Sequence, residues 1–402
     1  MPRLLYVDGA FLWYKMENFE VINPTRIVFG KNQLSRLPEL LEMANAKRIM
    51  ITYGGGSIQK TGLLDEIKKQ LKVFTIVEFS GIEPNPEYTT LMKAVELARK
   101  EKIDFILAVG GGSVIDGTKF ISGAINHQGN PWEVLERKEG AVFISAVPFG
   151  TVLTLPATGS EANSGAVISR HELGVKVTMG GPLFFPVFSF CDPTQVATLP
   201  KRQLANGITD AFMHTLEQYL TFPSGNLLQE REAEGILSTL IEIKDVINHP
   251  EDYHLAANLM HCATHALNGN LRCGVITDWT THMIGHELTA HFGIDHACTL
   301  AIIAPRLYEN RFEDKKEKLI QYGKRVWNLS GDETEIAKEA IVKTEEFFQS
   351  LGIKTHISDY TNDYQDIESK VKQTFEDRGW TEMGERKSLT PKDVEAIVLS
   401  AI

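Results

Sequence analysis

Residues 104–126 read DFILAVGGGSVIDGTKFISGAIN. Phe105 to Val109 form a continuous apolar run, the pattern of a strand buried on both faces in a parallel sheet. Gly110, Gly111 and Gly112 follow at once, and from Ser113 the apolar residues recur at helical spacing as far as Ala124. Strand, glycine turn and helix in that order make one βα unit, and the glycines let the backbone turn tightly at the strand's carboxyl end.

The same order appears upstream, in KRIMITY (47–53) before TGLLDEIKKQL (61–71) and in VFTIVEF (73–79) before PEYTTLMKAVELARKEK (86–102). Further strand-like runs follow in VFISAVP (142–148), VLTLP (152–156), VISR (167–170), VKVTM (175–179) and PVFSFCD (186–192). After Pro200 the period changes to helical: QLANGITDAFMHTLEQYL (203–220), LLQEREAEGILSTLIEIKDVI (227–247), LAANLMHCATHAL (255–267) and DWTTHMIGHELTAHF (278–292). More helices are expected over 315–327, 333–351 and 391–400, the last capped by Thr390 in front of Pro391. The expected division is an α/β domain over 16–199 and an all-helical domain over 200–402.

Of the 402 residues, 43% are hydrophobic and 23% charged, a globular balance and neither a disordered nor a membrane one. The formal charge of -11 disfavours nucleic acid or an anionic membrane surface as partner, while a small anion can still bind in a local pocket. Four cysteines without a CxxC pair give neither a disulfide framework nor a zinc knuckle, which fits a reducing, cytoplasmic compartment. No apolar run reaches membrane-span length, and the start MPRLLYVDGAFLWYK lacks a signal-peptide pattern. Since MENFEVINPTRIVFG begins like a second N-terminus at Met16, residues 1–15 read as an extension outside the fold.

Two glycine turns at strand ends, Gly54-Gly55-Gly56-Ser57 and Gly110-Gly111-Gly112-Ser113, can bring backbone amides close to phosphate oxygens. Neither is GxGxxG or a P-loop, and a tight turn without a ligand is the plain alternative for either alone. The loop LPATGSEAN (155–163), with Thr154 before it, concentrates small polar donors that suit either a surface loop or a cofactor contact. Seven of the twelve histidines fall between His254 and His296. Asp210 and His214 stand four apart on one expected helix, His282 and His286 four apart on another, and His296 follows the Gly293 turn. Asp210, His214, His282 and His296 would together offer one carboxylate oxygen and three imidazole nitrogens, a set suited to Zn2+ or Fe2+. His261 and His265 repeat the spacing without a nearby carboxylate and read as packing groups. His286-Glu287 to His291 is one residue too long for HExxH, so protease chemistry is not expected.

GGGSVIDGTKF (110–120), LPATGSEAN (155–163), ANGITDAFMHTLEQY (205–219) and HMIGHELTAHFGIDHA (282–297) together resemble the iron-containing (group III) alcohol dehydrogenases, above all their butanol dehydrogenase and NADPH-dependent aldehyde reductase branch. The likeness runs from about Asn23 to the C-terminus. It implies a Rossmann-like dinucleotide-binding domain followed by a helical metal-binding domain, an architecture shared with dehydroquinate synthase. It implies Asp210, His214, His282 and His296 as ligands of Fe2+ or Zn2+, and His286 beside the substrate as a proton carrier outside the ligand set. Gly111, Gly112 and Ser113 would carry the cofactor diphosphate, Asp116 would approach the nicotinamide side, Thr154 and Thr158 would touch the cofactor, and Lys176 would add positive charge.

In NAD-preferring relatives an Asp in the first turn binds the adenosine ribose. Here Gly55, Gly56 and Ser57 stand in that turn without a carboxylate, so NADPH is expected over NADH, the alternative cofactor. The resemblance also implies a homodimer or larger homo-oligomer. The function expected is hydride transfer between NADPH and short to medium-chain aldehydes, on the butanal/butanol pattern. A NAD(H)-dependent glycerol or propanediol dehydrogenase is the alternative enzyme, and a non-catalytic nucleotide- and metal-binding module the alternative of another class.

Overall fold

The computed structural model describes residues 4–7, 10–13 and 16–402. Of the extension expected over 1–15, the described residues form β1 (Leu4–Val7) and β2 (Ala10–Trp13), which pair antiparallel, and the rest lies outside the described residues. From there the chain lays down β3 (Arg26–Phe29), β4 (Arg48–Tyr53), β5 (Thr75–Phe79), β6 (Phe105–Gly110), β7 (Phe149–Leu153), β8 (Ala166–Arg170), β9 (Val175–Met179) and β10 (Phe188–Cys191). Six of these form one sheet in the order β3-β10-β7-β6-β4-β5, and every pairing in it is parallel. β8 and β9 make a separate antiparallel ribbon.

β4 and β6 explain why the sheet needs helices on both sides. Ile49, Ile51 and Tyr53 with Phe105, Leu107 and Val109 point to one face, where Leu37, Leu40, Leu41, Leu63, Leu64 and Ile67 cover them. Met50, Ile106 and Ala108, from the alternate positions, are equally buried. Each such side chain contributes about 1.5–3 kcal/mol when removed from water, so both faces exclude solvent. Thr52, on the second face, meets Thr118 of the helix Gly112–Asn126 through hydroxyls 2.7 Å apart.

The expected strand over 142–148 is not formed. Val142 and Ile144 there are 59% and 83% exposed, while Phe143 packs edge-on to Phe120 and Phe184 and Val147 is buried. The ladder begins at Phe149, where Gly150 leaves space for the Phe188 ring; a β-carbon there would fall 2.4 Å from it. The edge strand β3 has no counterpart among the expected elements, being four residues long between Pro24 and Gly30.

Contacts divide the chain into two compact units. The α/β unit comprises Ile22–Pro200 together with Asn248–Asn268, and the helical unit comprises Lys201–Ile247, Gly269–Ile402 and the chain before Ile22. One change of unit follows Pro200, and the helical unit departs from the contiguous span expected over 200–402. The helix Tyr253–Ala266 joins the α/β unit because its Thr264 hydroxyl donates to the buried Glu161 carboxylate at 2.6 Å and its Ala263 carbonyl closes over Gly159. Residues 16–21 leave the α/β range, with the Glu17 amide donating to the Gly274 carbonyl at 3.1 Å. The helix Pro391–Ser400 starts with the expected Thr390 cap, completed by Asp393 as a capping box. Among the described residues no helix is long and apolar enough to cross a membrane.

Candidate metal centre and cofactor site

Within the helical unit, the helix Lys201–Tyr219 carries Asp210 and His214, Thr280–Phe292 carries His282 and His286, and His296–Asn310 opens on His296. One atom gathers the set. Asp210 Oδ1 has His214 Nε2 at 3.6 Å, His296 Nε2 at 3.8 Å and His282 Nε2 at 3.9 Å around it. Ligating atoms of Asp210, His214 and His282 all lie within 4.8 Å of one another, and all three residues are buried. Ligands about 2.1 Å from a tetrahedral centre stand about 3.4 Å apart, so the spacing accommodates a cation. Asp210 Oδ1 and His282 Nε2 are buried without a hydrogen-bond partner, a cost that a cation between them would remove. Carboxylate oxygen with imidazole nitrogen suits Zn2+ or Fe2+.

Glu217, which the sequence reading passed over, holds His282 from behind. Its carboxyl bonds His282 Nδ1 and also accepts from the His282 backbone amide at 3.3 Å. Burial drives the Glu217 carboxyl well above the ordinary carboxylate range, and the charge of Asp278 adds to that. Burial lowers His282 to about 4 against the pull of Asp210. Glu217 thus engages one ring nitrogen of His282 and leaves Nε2 facing Asp210. A signal was available, since Glu217 follows Asp210 by seven residues and His214 by three, on the same helical face.

Two further contacts fix the ligand helices. Arg202, eight residues before Asp210, grips Asp295 with Nε and Nη2 both at 2.7 Å, and Asn206 donates to the same carboxylate at 2.7 Å, which ties the turn before His296 to the first helix. The buried Lys315 ammonium donates to the Leu220 carbonyl at 2.8 Å and to Asp278 at 2.9 Å, while Asp278 caps the Thr280 amide at 3.0 Å. His286 lies beside His296, ring centroids 4.8 Å apart, and 6.2 Å from the His282 ring. His261 and His265 approach each other to 4.4 Å but belong to the α/β unit.

In the α/β unit the two glycine turns stand at the carboxyl ends of the paired strands β4 and β6. Gly56 has φ of 98°, which favours glycine there, and it leads into Ser57. A β-carbon on Gly112 would fall 2.5 Å from Thr158 Oγ1, and the Thr154 amide donates to the Gly110 carbonyl at 3.0 Å. The structure thus brings Gly111, Gly112, Thr154 and Thr158 together. Lys176 is held at Asn85 by a 2.7 Å bond, and the Asn85 amide reaches the Ser113 hydroxyl at 3.4 Å. Asp116 accepts from Ser160 Oγ at 2.6 Å and from the Val167 amide at 2.9 Å, so its carboxylate clamps the 155–163 loop to β8.

A family model described as iron-containing alcohol dehydrogenase matches residues 24–193, and one described as the C-terminal part of the Fe-containing alcohol dehydrogenase family matches 204–402. The chain is similar to the NADPH-dependent aldehyde reductase YqhD of Escherichia coli (strain K12), 50% identical over 379 residues that cover 93% of this chain and 97% of that one. It is 39% identical over 395 residues to the probable NADH-dependent butanol dehydrogenase 1 of Bacillus subtilis (strain 168), covering 96% and 100% of the two. The crystal structure of YqhD from E. coli K-12 superposes with a TM-score of 0.93 at 48% identity, covering 96% of this chain and 100% of that one.

Proposed function

The chain belongs to the iron-containing alcohol dehydrogenase family, and we propose on that premise that it reduces short to medium-chain aldehydes with NADPH at a metal centre built on Asp210. The observation that carries this reading is the single carboxylate oxygen ringed by three imidazole nitrogens at 3.6, 3.8 and 3.9 Å. A divalent cation held by Asp210, His214, His282 and His296 would supply a Lewis acid for the carbonyl oxygen, and the reduced nicotinamide would supply the hydride. The protein's own groups do the rest. Asp210 contributes the one charge of the donor set, and Glu217 keeps the His282 ring turned so that Nε2 faces Asp210. His286, alongside His296, is placed to hold the proton that the product alcohol needs.

Gly111, Gly112 and Ser113 are the groups for the diphosphate, Thr154 and Thr158 the hydroxyls beside it, and Lys176 the supporting cation. NADPH is preferred because Gly55, Gly56 and Ser57 present amides and a hydroxyl where a carboxylate would repel a 2′-phosphate. Glu78, the acidic residue near this turn, is already engaged by Lys68 at 2.6 Å and by the Tyr53 hydroxyl at 2.9 Å. Initial rates with butanal and its homologues, measured with NADPH and NADH after loading with Fe2+ or Zn2+, test the reading. Metal-dependent oxidation of NADPH by butanal is expected, and no turnover of any short aldehyde with either cofactor and either metal would overturn it.

A further inference from the structure

Lys119 has no part in the chemistry above, yet its side chain is fully buried. Its ammonium donates to Ser160 Oγ at 2.7 Å, to Asn163 Oδ1 at 2.9 Å and to the Gly165 carbonyl at 2.7 Å. All three acceptors lie in or just beyond the segment that begins with Thr154 and Thr158. The Ser160 hydroxyl then donates to Asp116, whose other oxygen receives the Val167 amide. Asn163 Oδ1 also accepts from the Gly165 amide at 3.0 Å, while Asn163 Nδ2 donates to the Leu267 carbonyl at 3.2 Å. One cation on the helix that opens at Gly112 therefore fixes the far half of the loop whose near half packs on that same helix start.

We propose that Lys119 is a positioning residue for the cofactor: it sets the Thr154–Asn163 loop at the distance from Gly111 and Gly112 at which the loop hydroxyls meet the dinucleotide. The proposal rests on the reading that this loop contacts NADPH. Burial pushes the ammonium down to about 8 against the pull of its two facing carboxylates, Asp116 and Glu161. A charge held in so unfavourable a place costs stability, and a neutral apolar side chain of similar volume would fill the space without that cost. What the apolar chain could not do is hold Ser160, Asn163 and Gly165 at one point.

The test is NADPH binding to metal-loaded protein by nucleotide fluorescence, with steady-state kinetics alongside, for the wild type and Lys119→Met. The dissociation constant and KM for NADPH are expected to rise at least tenfold, with kcat at saturating NADPH and metal content within twofold of wild type. Unchanged NADPH affinity in folded K119M, or a loss confined to kcat, would overturn the proposal. Should K119M not fold, Ser160→Ala removes the link to Asp116 while Lys119 keeps two acceptors. It is expected to weaken NADPH binding at least threefold, and unchanged affinity counts against the proposal equally. Wild-type protein that binds neither NADPH nor NADH would instead overturn the function on which the proposal rests.

Discussion

His282 and His286 sit one helical turn apart and have different work. His282 faces Asp210 and is held by Glu217, whereas His286 lies beside His296 with the two rings tilted. His282→Ala is expected to lose most bound metal and at least 100-fold in turnover while keeping its helical signal; full occupancy by elemental analysis would remove His282 from the ligand set. His286→Ala should retain metal and lose turnover or shift its pH profile, and a metal loss equal to that of H282A would show the roles to be misassigned. Ser57 is the residue at which cofactor choice can be read. On the proposed reading Ser57→Asp would put a carboxylate beside the 2′-phosphate, so the ratio of kcat/KM for NADPH over NADH should fall at least tenfold through like-charge repulsion. An unchanged ratio would mean that this turn does not select the cofactor. The i,i+4 spacing of Asp210 and His214 on one helix pointed in the sequence to the group that they form with His282. Lys119 was not legible, because what marks it is burial, and burial is created by elements distant in the chain; Glu217 shares the helical face of Asp210 and His214, and only its contact with His282 was hidden.

Elements transmit such placements through their ends. Lys315 joins the carbonyl of Leu220, just after the helix that bears Asp210, to Asp278, which caps the helix that bears His282. The same ammonium also pairs with the buried Glu385 at 3.1 Å, so replacing Lys315 by Met leaves Asp278 and Glu385 buried without their cation, and losing one partner of such a pair costs about 3–5 kcal/mol. Chemical denaturation of K315M should show a loss of that size; a change below about 1 kcal/mol, the scale of an exposed pair, would mean that the cluster is solvated. At this scale the sequence was readable wherever hydrophobic period and length agreed, as in β4, β6 and the helix Gly112–Asn126. It failed where local composition misled. The alternating segment at 142–148 has a strand pattern but no neighbour to pair with. The helix His296–Asn310, not among the expected elements, contains Pro305, and it continues through that residue with most of its length buried.

At the scale of the whole molecule, the edge strand β3 leaves Ile27 and Phe29 exposed at 39% and 40%. An uncovered apolar sheet edge is a site for pairing with a second chain, so light scattering should return at least twice the monomer mass at micromolar concentration. A monomer throughout that range would contradict the homodimer or larger assembly that the family resemblance implies. Stability should also respond to alkali in a definite direction. Lys119 releases its proton near pH 8 when folded, against an ordinary value of 10.5. Between those two values the unfolded chain binds more protons, so this group's contribution raises stability as pH rises and vanishes from the slope in K119M. Denaturation midpoints of both proteins at pH 7.5 and 9.5 check the sign. The way the α/β unit borrows Asn248–Asn268 has a consequence for ancestry and engineering. The chain changes unit after residues 21, 200, 247 and 268, so no single cut releases either unit intact. Residues 22–200 made alone would lack Thr264, the hydroxyl that satisfies the buried Glu161. The two halves recognised by separate family models are thus not interchangeable modules: a gene fusion can inherit this enzyme only whole, and a chimera must exchange the helix Tyr253–Ala266 along with the sheet it covers.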